Sequence, residues 1–457
     1  MLKIYNSLTK QKEIFKPITA GKVNLYVCGV TVYDYCHLGH ARTYVAFDVI
    51  YRYLQAKGYE VNYVRNITDI DDKILQRANA RNIDFFEIVK QFTQAMHEDF
   101  ALLNLCKPQH EPTATTYITQ MVQQIQNMIS TQHAYVASNG DVYFNVRSFK
   151  QYGCLAHRDI NGLRSGARVE INDVKKDPLD FVLWKLAKPD EPAWPSPWGE
   201  GRPGWHTECC VMSNAIFSGT FDIHGGGKDL IFPHHENELA QSESLHAKKF
   251  VNVWMHTGFL QINKEKMSKS LGNFFTIRDT LKRYSPEVLR FFLMNSHYRS
   301  QLHYSEENLQ ASSSSLQRLY QALKDLPVIN QALTHSDYEI DFMSAMDDDF
   351  NTPKAFAILF QLSHEVQRLK LTDLDAAASH GALLKSLGNL IGILQSPPAN
   401  YLQNGVDSAA VEALIAARNQ ARLDKNWAQA DSIRQQLTDM KIVLEDKDNG
   451  TTWKVCG

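Results

Sequence analysis

Two short clusters in this chain carry the residue types that phosphate chemistry needs: His37-Leu38-Gly39-His40, and far downstream Lys266-Met267-Ser268-Lys269-Ser270. Two imidazoles three residues apart at a helix start can donate hydrogen bonds to a triphosphate, because the unpaired N–H groups there already favour anions. Gly39 removes a Cβ between them, so a flat base can lie against the backbone. Lys266 and Lys269, with Ser268 between them, can close over phosphates and offset the charge that builds during displacement. The bland alternatives are a polar helix cap beside solvated histidines and a solvated basic loop. A His-x-Gly-His match arises by chance in roughly one chain of this size in fifty, and the lysine motif far more rarely, so the two together outweigh those alternatives. Neither GHAR nor HGGGKD fits the Walker phosphate loop. A third set, Cys28, Cys209, His234 and Glu238, is metal-like. His234 and Glu238 share one face of a predicted helix at i and i+4, and two thiols, one imidazole and one carboxylate suit zinc better than magnesium or calcium. Cys210, His235 and His206 lie close enough in sequence to leave other donor sets open, and buried cysteines beside a solvated helix face would need no metal at all.

The elements that must position these groups follow from periodicity. Residues 22–30 alternate at period two and predict a strand delivering Cys28 near its end; Gly39 precedes a helical stretch stopping at Gly58; residues 61–67 predict a second strand. Strand, helix and strand in so short a span make a βαβ unit, so ligands are expected at the carboxyl ends of a parallel sheet. Residues 71–105 and 117–131 read as helical, and Asn139-Gly140 between alternating apolar residues predicts a hairpin with a primed turn. Residues 188–204, rich in Pro and Gly, read as loop. A second half then resumes: helix from GWHTECC, strand at FDIHGGG, helix at HHENELAQSESLHA, strand at VNVWMHTGFLQI, then the polar lysine loop. From Tyr284 the pattern is almost wholly helical, ending in a short β tail.

Composition narrows the class. The chain has 457 residues, 44% hydrophobic and 21% charged, with 48 Lys plus Arg against 50 Asp plus Glu, a net charge of −2. That is ordinary for a globular protein of two to four domains, with no global basic field to announce a polyanion partner. Seven cysteines, none in a CxxC pair, argue for a reducing cytosol over a disulfide framework. The start of the chain lacks an apolar signal core, and no run of about 18 apolar residues exists, so neither secretion nor a membrane partner is expected.

The two phosphate motifs resemble those of class I aminoacyl-tRNA synthetases. The resemblance narrows to the cysteinyl-tRNA synthetase family through Cys28-Gly29-Val30-Thr31-Val32-Tyr33-Asp34, GWHTEC at 204–209, FDIHGGG at 221–227 and FPHHENELAQSE at 232–243, and it spans nearly the whole chain. It implies an α/β fold: a split Rossmann-type catalytic domain with a parallel sheet, followed by a helical bundle and a small C-terminal α/β tail. The boundaries expected are 1–112 and 204–260 for the catalytic halves, 113–203 for an insertion, 261–310 for the lysine loop and stem-contact helices, 311–400 for an anticodon-binding bundle and 401–457 for a small anticodon-recognition domain. It implies activation of L-cysteine by ATP with Mg²⁺ and transfer to tRNA(Cys), by a cytoplasmic monomer. His37, His40, Lys266 and Lys269 would be catalytic, joined at ATP by Gly39 and Ser268. Cys28, Cys209, His234 and Glu238 would hold one Zn²⁺, to which the substrate adds its sulfur, while Thr68, Trp205, Asp229 and His224 would line the amino-acid pocket. Leu38 stands where isoleucine is usual, which should be nearly neutral.

Serine differs from cysteine by one atom, which pocket shape separates poorly and zinc–thiolate bonding separates well. Two thiolates, a carboxylate and Zn²⁺ sum to −1, and a substrate thiolate deepens the excess. His206 and His224 are expected to supply the offsetting donors. In the tail, Trp427 and Trp453 could stack on splayed bases and Asp446 or Asp448 could accept from a guanine edge; packing in a small core explains the tryptophans equally well. Three rivals are a cysteine ligase acting on a small amine, a zinc hydrolase and a silent RNA-binding relative. The intact tail opposes the first, and the lysine motif the other two.

Overall fold

The computed structural model of the chain describes residues 1–159, 174–189, 191–262, 265–266, 274–327, 329, 333–403, 408–440, 442–447 and 450–455. The chain divides into two compact units: Met1–Pro286 with Ser296–Tyr304 and Ser344–Pro353, and Glu287–Asn295 with Ser305–Met343 and Lys354–Gly457.

The first unit is built on a four-stranded sheet, ordered Val251–Thr257, Phe221–Gly227, Lys22–Val27, Glu60–Arg65, with every pair parallel. Its central strand buries Val23, Leu25, Tyr26 and Val27, as expected for a parallel strand covered on both faces. The helix Leu38–Ala56 crosses between the two strands of the first half, burying Val45, Phe47, Val49, Ile50 and Leu54. A Cβ on Gly225 would come within 2.2 Å of the Phe47 ring, so glycine is what lets this helix seat on the neighbouring strand. The first half of the chain steps outward to one edge of the sheet and the second half to the other. That reversal leaves a crevice beyond the ends of Lys22–Val27 and Phe221–Gly227.

Several expectations shift in detail. The helix begins at Leu38, one residue before Gly39, with His37 as its N-cap. The stretch 71–105 breaks into Asp72–Arg81 and Phe85–Leu102, because Asn82 takes a left-handed conformation that ends the first helix. The hairpin around Gly140 exists, but its turn is not primed. Ala137 and Asp141 face each other through a 2.8 Å bond, and Gly140 (φ 87°) has a positive φ while Asn139 does not, the geometry of a three-residue loop closed by a left-handed glycine. Gly201–Pro203, read as loop, is the edge strand of the insertion's antiparallel sheet, after Ala134–Val136, Val142–Phe144 and Phe181–Leu186. The strand near 251–262 is two, Val251–Thr257 and Leu260–Ile262.

The second unit is helical, including Glu306–Leu323, Leu374–Leu390, Ser408–Leu423 and Trp427–Asp439, and closes with the hairpin Ile442–Lys447 and Gly450–Val455. No helix among the described residues is long and apolar enough to cross a membrane.

Arg42, 2% exposed on the first crossover helix, ties that helix to the turn at 296–300 through Ser296 Oγ at 3.1 Å and the His297 carbonyl at 2.6 Å. The same turn holds Gly258, whose amide donates to the Tyr298 carbonyl at 2.8 Å. Arg42→Met strands these acceptors, and the expected loss is about 2–3 kcal/mol, read as a lower urea midpoint. An unchanged midpoint would show that water satisfies the carbonyls equally well.

Candidate active site and metal centre

Beyond the strand ends lies a cavity of about 290 Å³, lined by Cys28, Thr31, Tyr33, His37, His40, Lys73, Trp205, Asp229 and Gly258 among others. At its base the chain makes a close approach: a Cβ on Gly29 would fall 1.5 Å from the Asn66 carbonyl oxygen, and the Gly29 amide donates to Asn66 Oδ1 at 2.7 Å. Gly29 thus lets the segment carrying Cys28 sit flush against the end of the neighbouring strand.

The two histidines cap their own helix reciprocally. His37 Nδ1 accepts from the His40 amide at 3.2 Å, His40 Nδ1 accepts from the His37 amide at 3.3 Å, and the rings stack with centroids 3.6 Å apart. An Nδ1 that accepts a backbone N–H carries no proton, so each neutral ring keeps its proton on Nε2. The pair therefore presents Nε2–H donors of fixed tautomer, as anion binding requires. Residues just after the lysine motif meet this site directly: the Leu38 amide donates to the Phe275 carbonyl at 3.1 Å, the Ile277 amide to the Cys36 carbonyl at 2.9 Å, and the His37 ring meets Phe274 edge-on. Lys266 ends a short strand paired with Leu260–Ile262, while Ser268 and Lys269 lie outside the described residues.

Cys28, Cys209, His234 and Glu238 converge from three segments, all four buried and their donor atoms all within 4.8 Å of one another. The two Sγ atoms are 3.6 Å apart, Cys28 Sγ is 3.7 Å from Glu238 Oε1, and His234 Nε2 is 3.0 Å from that oxygen. Donors about 2.0–2.3 Å from one tetrahedral zinc stand about 3.3–3.8 Å apart, so the spacing fits with small adjustments. The four groups shift one another's ionisation in opposite directions. Burial opposes charge on Cys209, yet its hydrogen bond with Cys28 and then the neighbouring His234 bring it down to about 6; burial and Cys209 push Cys28 well up. Burial opposes ionisation of Glu238 too, but His224 and His234 bring it down to about 2.

Cys210 points elsewhere, its sulfur 3.4 Å from Gln124 Nε2, so Cys209 is the sulfur that faces the cluster. A second donor set, Cys28, His224, His235 and Glu238, shares two members with the first. The first set is the softer, with two thiols to the other's one, which favours zinc there. His224 instead bonds the other oxygen of Glu238, Oε2, at 2.8 Å, and His206 Nδ1 meets His234 Nδ1 at 3.0 Å, so both expected donors touch members of the first set. His235 and His256, which spacing did not single out, form a buried pair at 2.8 Å beside Cys28; burial and the neighbouring imidazoles hold His235 well below its usual range.

Trp205 stacks on His234 with ring centroids 4.2 Å apart and, like Asp229, lines the cavity. Thr68 and His224 do not line it: Thr68 donates to the buried Glu208 carboxylate at 3.0 Å, and His224 lies behind Glu238. Lys73 and Tyr33 do line it and were missed, since one lysine at a helix start carries no spacing signal.

In the tail, Trp427 is 60% exposed, whereas Trp453 is 1% exposed. Trp453 is thereby corrected from a base-stacking residue to a core residue: it packs with Ile415, Ile433 and Leu437 and donates to Glu412 at 2.7 Å. Asp446 is engaged by Arg418 at 2.9 and 3.1 Å, by Arg422 at 3.3 Å and by Thr451 at 2.7 Å, while Asp448 lies outside the described residues.

A parallel sheet with its crevice at a strand-order reversal, paired histidines at the first crossover helix and the segment after the lysine motif bridged to them, Thr276 to His37, make up the catalytic architecture of a class I aminoacyl-tRNA synthetase. Solved structures agree on the fold: methionyl-tRNA synthetase of Mycobacterium tuberculosis, in complex with methionyl-adenylate, matches with a TM-score of 0.55 at 15% identity over 90% of this chain and 96% of its own. A putative arginyl-tRNA synthetase from Campylobacter jejuni matches at 0.53 and 12% identity, over 82% of this chain and 94% of its own. Residues 14–314 match the family described as tRNA synthetases class I (C) catalytic domain, 341–395 a DALR domain and 408–453 the cysteinyl-tRNA ligase anticodon binding domain. Cysteine–tRNA ligases of Azotobacter vinelandii and Sodalis glossinidius are 56% and 54% identical over 458 residues, covering 99% and 100% of both chains respectively. The chain belongs to the cysteinyl-tRNA synthetase family.

If Cys209 is the ligand, Cys209→Ser purifies with its zinc content cut at least about tenfold by elemental analysis, while Cys210→Ser keeps about one zinc per chain. Equal retention by both variants would contradict the assignment. Gly29→Ala should lose metal like Cys209→Ser, because the clash with Asn66 displaces Cys28.

Proposed function

We propose that this chain is a cysteine–tRNA ligase that activates L-cysteine with ATP, releases pyrophosphate, and passes the cysteinyl group from the adenylate to the 3′-terminal ribose of tRNA(Cys). The observation that carries the choice of amino acid is the buried cluster of Cys28, Cys209, His234 and Glu238, which reaches the cavity of His37 and His40 through Cys28 and, by way of its stack on His234, Trp205. ATP, with Mg²⁺, lies across Gly39, and its triphosphate takes the two Nε2–H donors and the ammonium groups of Lys266 and Lys269, with Ser268 between them. Attack of the amino-acid carboxylate on the α-phosphorus needs no covalent enzyme group, so the protein contributes position and charge stabilisation.

Cys28, Cys209, His234 and Glu238 hold the zinc ion in this reading, and bound there it favours a thiolate over an alcohol. His224 and His206 orient Glu238 and His234 through the contacts above. Trp205 forms the wall beside the amino acid, and Asp229 places a carboxylate where the α-ammonium can bind. Thr68 acts from beneath, through its bond to Glu208. The exposed Trp427 is the tail residue available to stack on an anticodon base. The working compartment in this reading is a reducing cytoplasm, as sparse cysteines without a CxxC pair suggest. Monomeric action is the remaining expectation, read by solution mass.

Pyrophosphate exchange compares the two amino acids directly. Cysteine should support exchange at least about a thousandfold better than serine, since the discriminating group is a metal and not pocket shape. His224→Asn should lower cysteine-dependent exchange by about 10–100-fold, the range for a residue that orients a metal ligand. Comparable exchange with serine would contradict the reading.

A further inference from the structure

Lys73 stands in the catalytic cavity with no part in the chemistry above. It is the second residue of the helix Asp72–Arg81, and its own amide donates to the N-cap Asp71 at 2.8 Å, which fixes the backbone that carries it. Its ammonium lies 5.5 Å from the centre of the Tyr33 ring. Among the described residues lining the cavity it is the only lysine or arginine.

The residue before it belongs to a different space. Asp72 is held by Arg202 and, at 3.2 Å, by Lys185, and all three line a second cleft of about 820 Å³ formed largely by the insertion. Trp205 lines both spaces, so cleft and cavity meet at Trp205 and the start of the Lys73 helix. The cleft is bordered by the largely buried rings of Tyr143 and Tyr152, by Phe232, by Lys175, whose ammonium lies 5.6 Å from the centre of the Tyr143 ring, and by the Lys185 and Arg202 that hold Asp72. Its carboxylates are internally engaged: Asp141 accepts the Leu186 amide at 2.9 Å, Asp180 accepts the Tyr135 hydroxyl at 2.7 Å, and Asp71 caps the helix. Trp205, 37% exposed, offers a ring face at the junction and Lys175 a cation outside the Asp72 ion pairs, a combination that suits single-stranded nucleic acid, whose bases stack while its phosphates meet a charge.

We propose that Lys73 binds the last phosphodiester of the tRNA's single-stranded 3′ end, where that strand leaves the insertion cleft and enters the cavity. This rests on the tRNA-charging function proposed above. The triphosphate already has the two histidines and Lys266 and Lys269, and its pyrophosphate departs before the tRNA reacts. A further cation at the junction with the cleft meets the incoming strand, and it serves transfer more than activation.

The test uses the full-length protein with Lys73→Gln and Lys73→Arg. Cysteine-dependent pyrophosphate exchange is measured beside single-turnover transfer from preformed adenylate to a tRNA(Cys) transcript, from about 50 to about 300 mM KCl. For Lys73→Gln the loss should fall on transfer, about tenfold at subsaturating tRNA against about threefold or less in exchange. The slope of log affinity for tRNA against log salt should become shallower by about 0.7, one phosphate contact on a single strand. Lys73→Arg should restore both. Equal losses in exchange and transfer would place the cation on the α-phosphate and overturn the proposal, as would a transfer defect with an unchanged salt slope, or no defect. Wild-type protein that fails to exchange with cysteine would overturn the underlying function instead, and the proposal with it.

Discussion

Bringing two thiols, an imidazole and a carboxylate together in a dry interior is the constraint on which the rest of this structure depends. Cys28 and Glu238 approach to 3.7 Å and Cys28 and Cys209 to 3.6 Å, all at 4% exposure or less. Like-charged or proton-sharing groups at such distances are costly unless a cation and a set of donors offset them. The surrounding histidines serve that purpose: His224 on one Glu238 oxygen, His206 on the back of His234. Burial, followed by the charge of His234, lowers His206 to about 3, so it acts as a neutral hydrogen-bonding partner and not as a second charge.

The same constraint ties the buried cluster to the cavity that holds the paired histidines. Cys28 immediately follows the central strand, and Gly29 follows Cys28, so the residue that reaches down to the cluster and the backbone that floors the cavity are neighbours in the chain. Tyr44, one turn beyond His40 on the crossover helix, donates its hydroxyl to the Cys28 carbonyl at 2.9 Å. The helix that presents the histidines is thereby registered against the residue that reaches the buried cluster. Such coupling suits a reaction in which the carboxylate of an amino acid anchored by its side chain must meet an α-phosphorus, where small errors of position cost rate.

Much of this was legible in the sequence because the informative residues are local. His37 and His40 lie one turn apart, His234 and Glu238 one turn apart, and the period-two strands flank them. The choice between Cys209 and Cys210 was not legible, since neighbouring helical residues point about 100° apart and only packing tells which faces inward. The second layer was only partly legible: His224 and His206 could be named as neighbours in sequence, but the His235–His256 pair joins segments that only the parallel sheet brings together. Trp453 looked like a stacking residue because an indole near a chain end carries no sign of its burial; the helix pair Ser408–Leu423 and Trp427–Asp439 supplies that burial. The primed turn failed at Asn139, where one residue more in the loop relieves the need for a second positive φ.

X-ray absorption at the zinc edge of the purified full-length protein, recorded alone and with L-cysteine or L-serine, tests the central claim most directly. A first shell containing two sulfur donors from Cys28 and Cys209, rising to three with cysteine and staying at two with serine, is the predicted result. A shell without sulfur, or one that responds equally to both amino acids, would contradict the account.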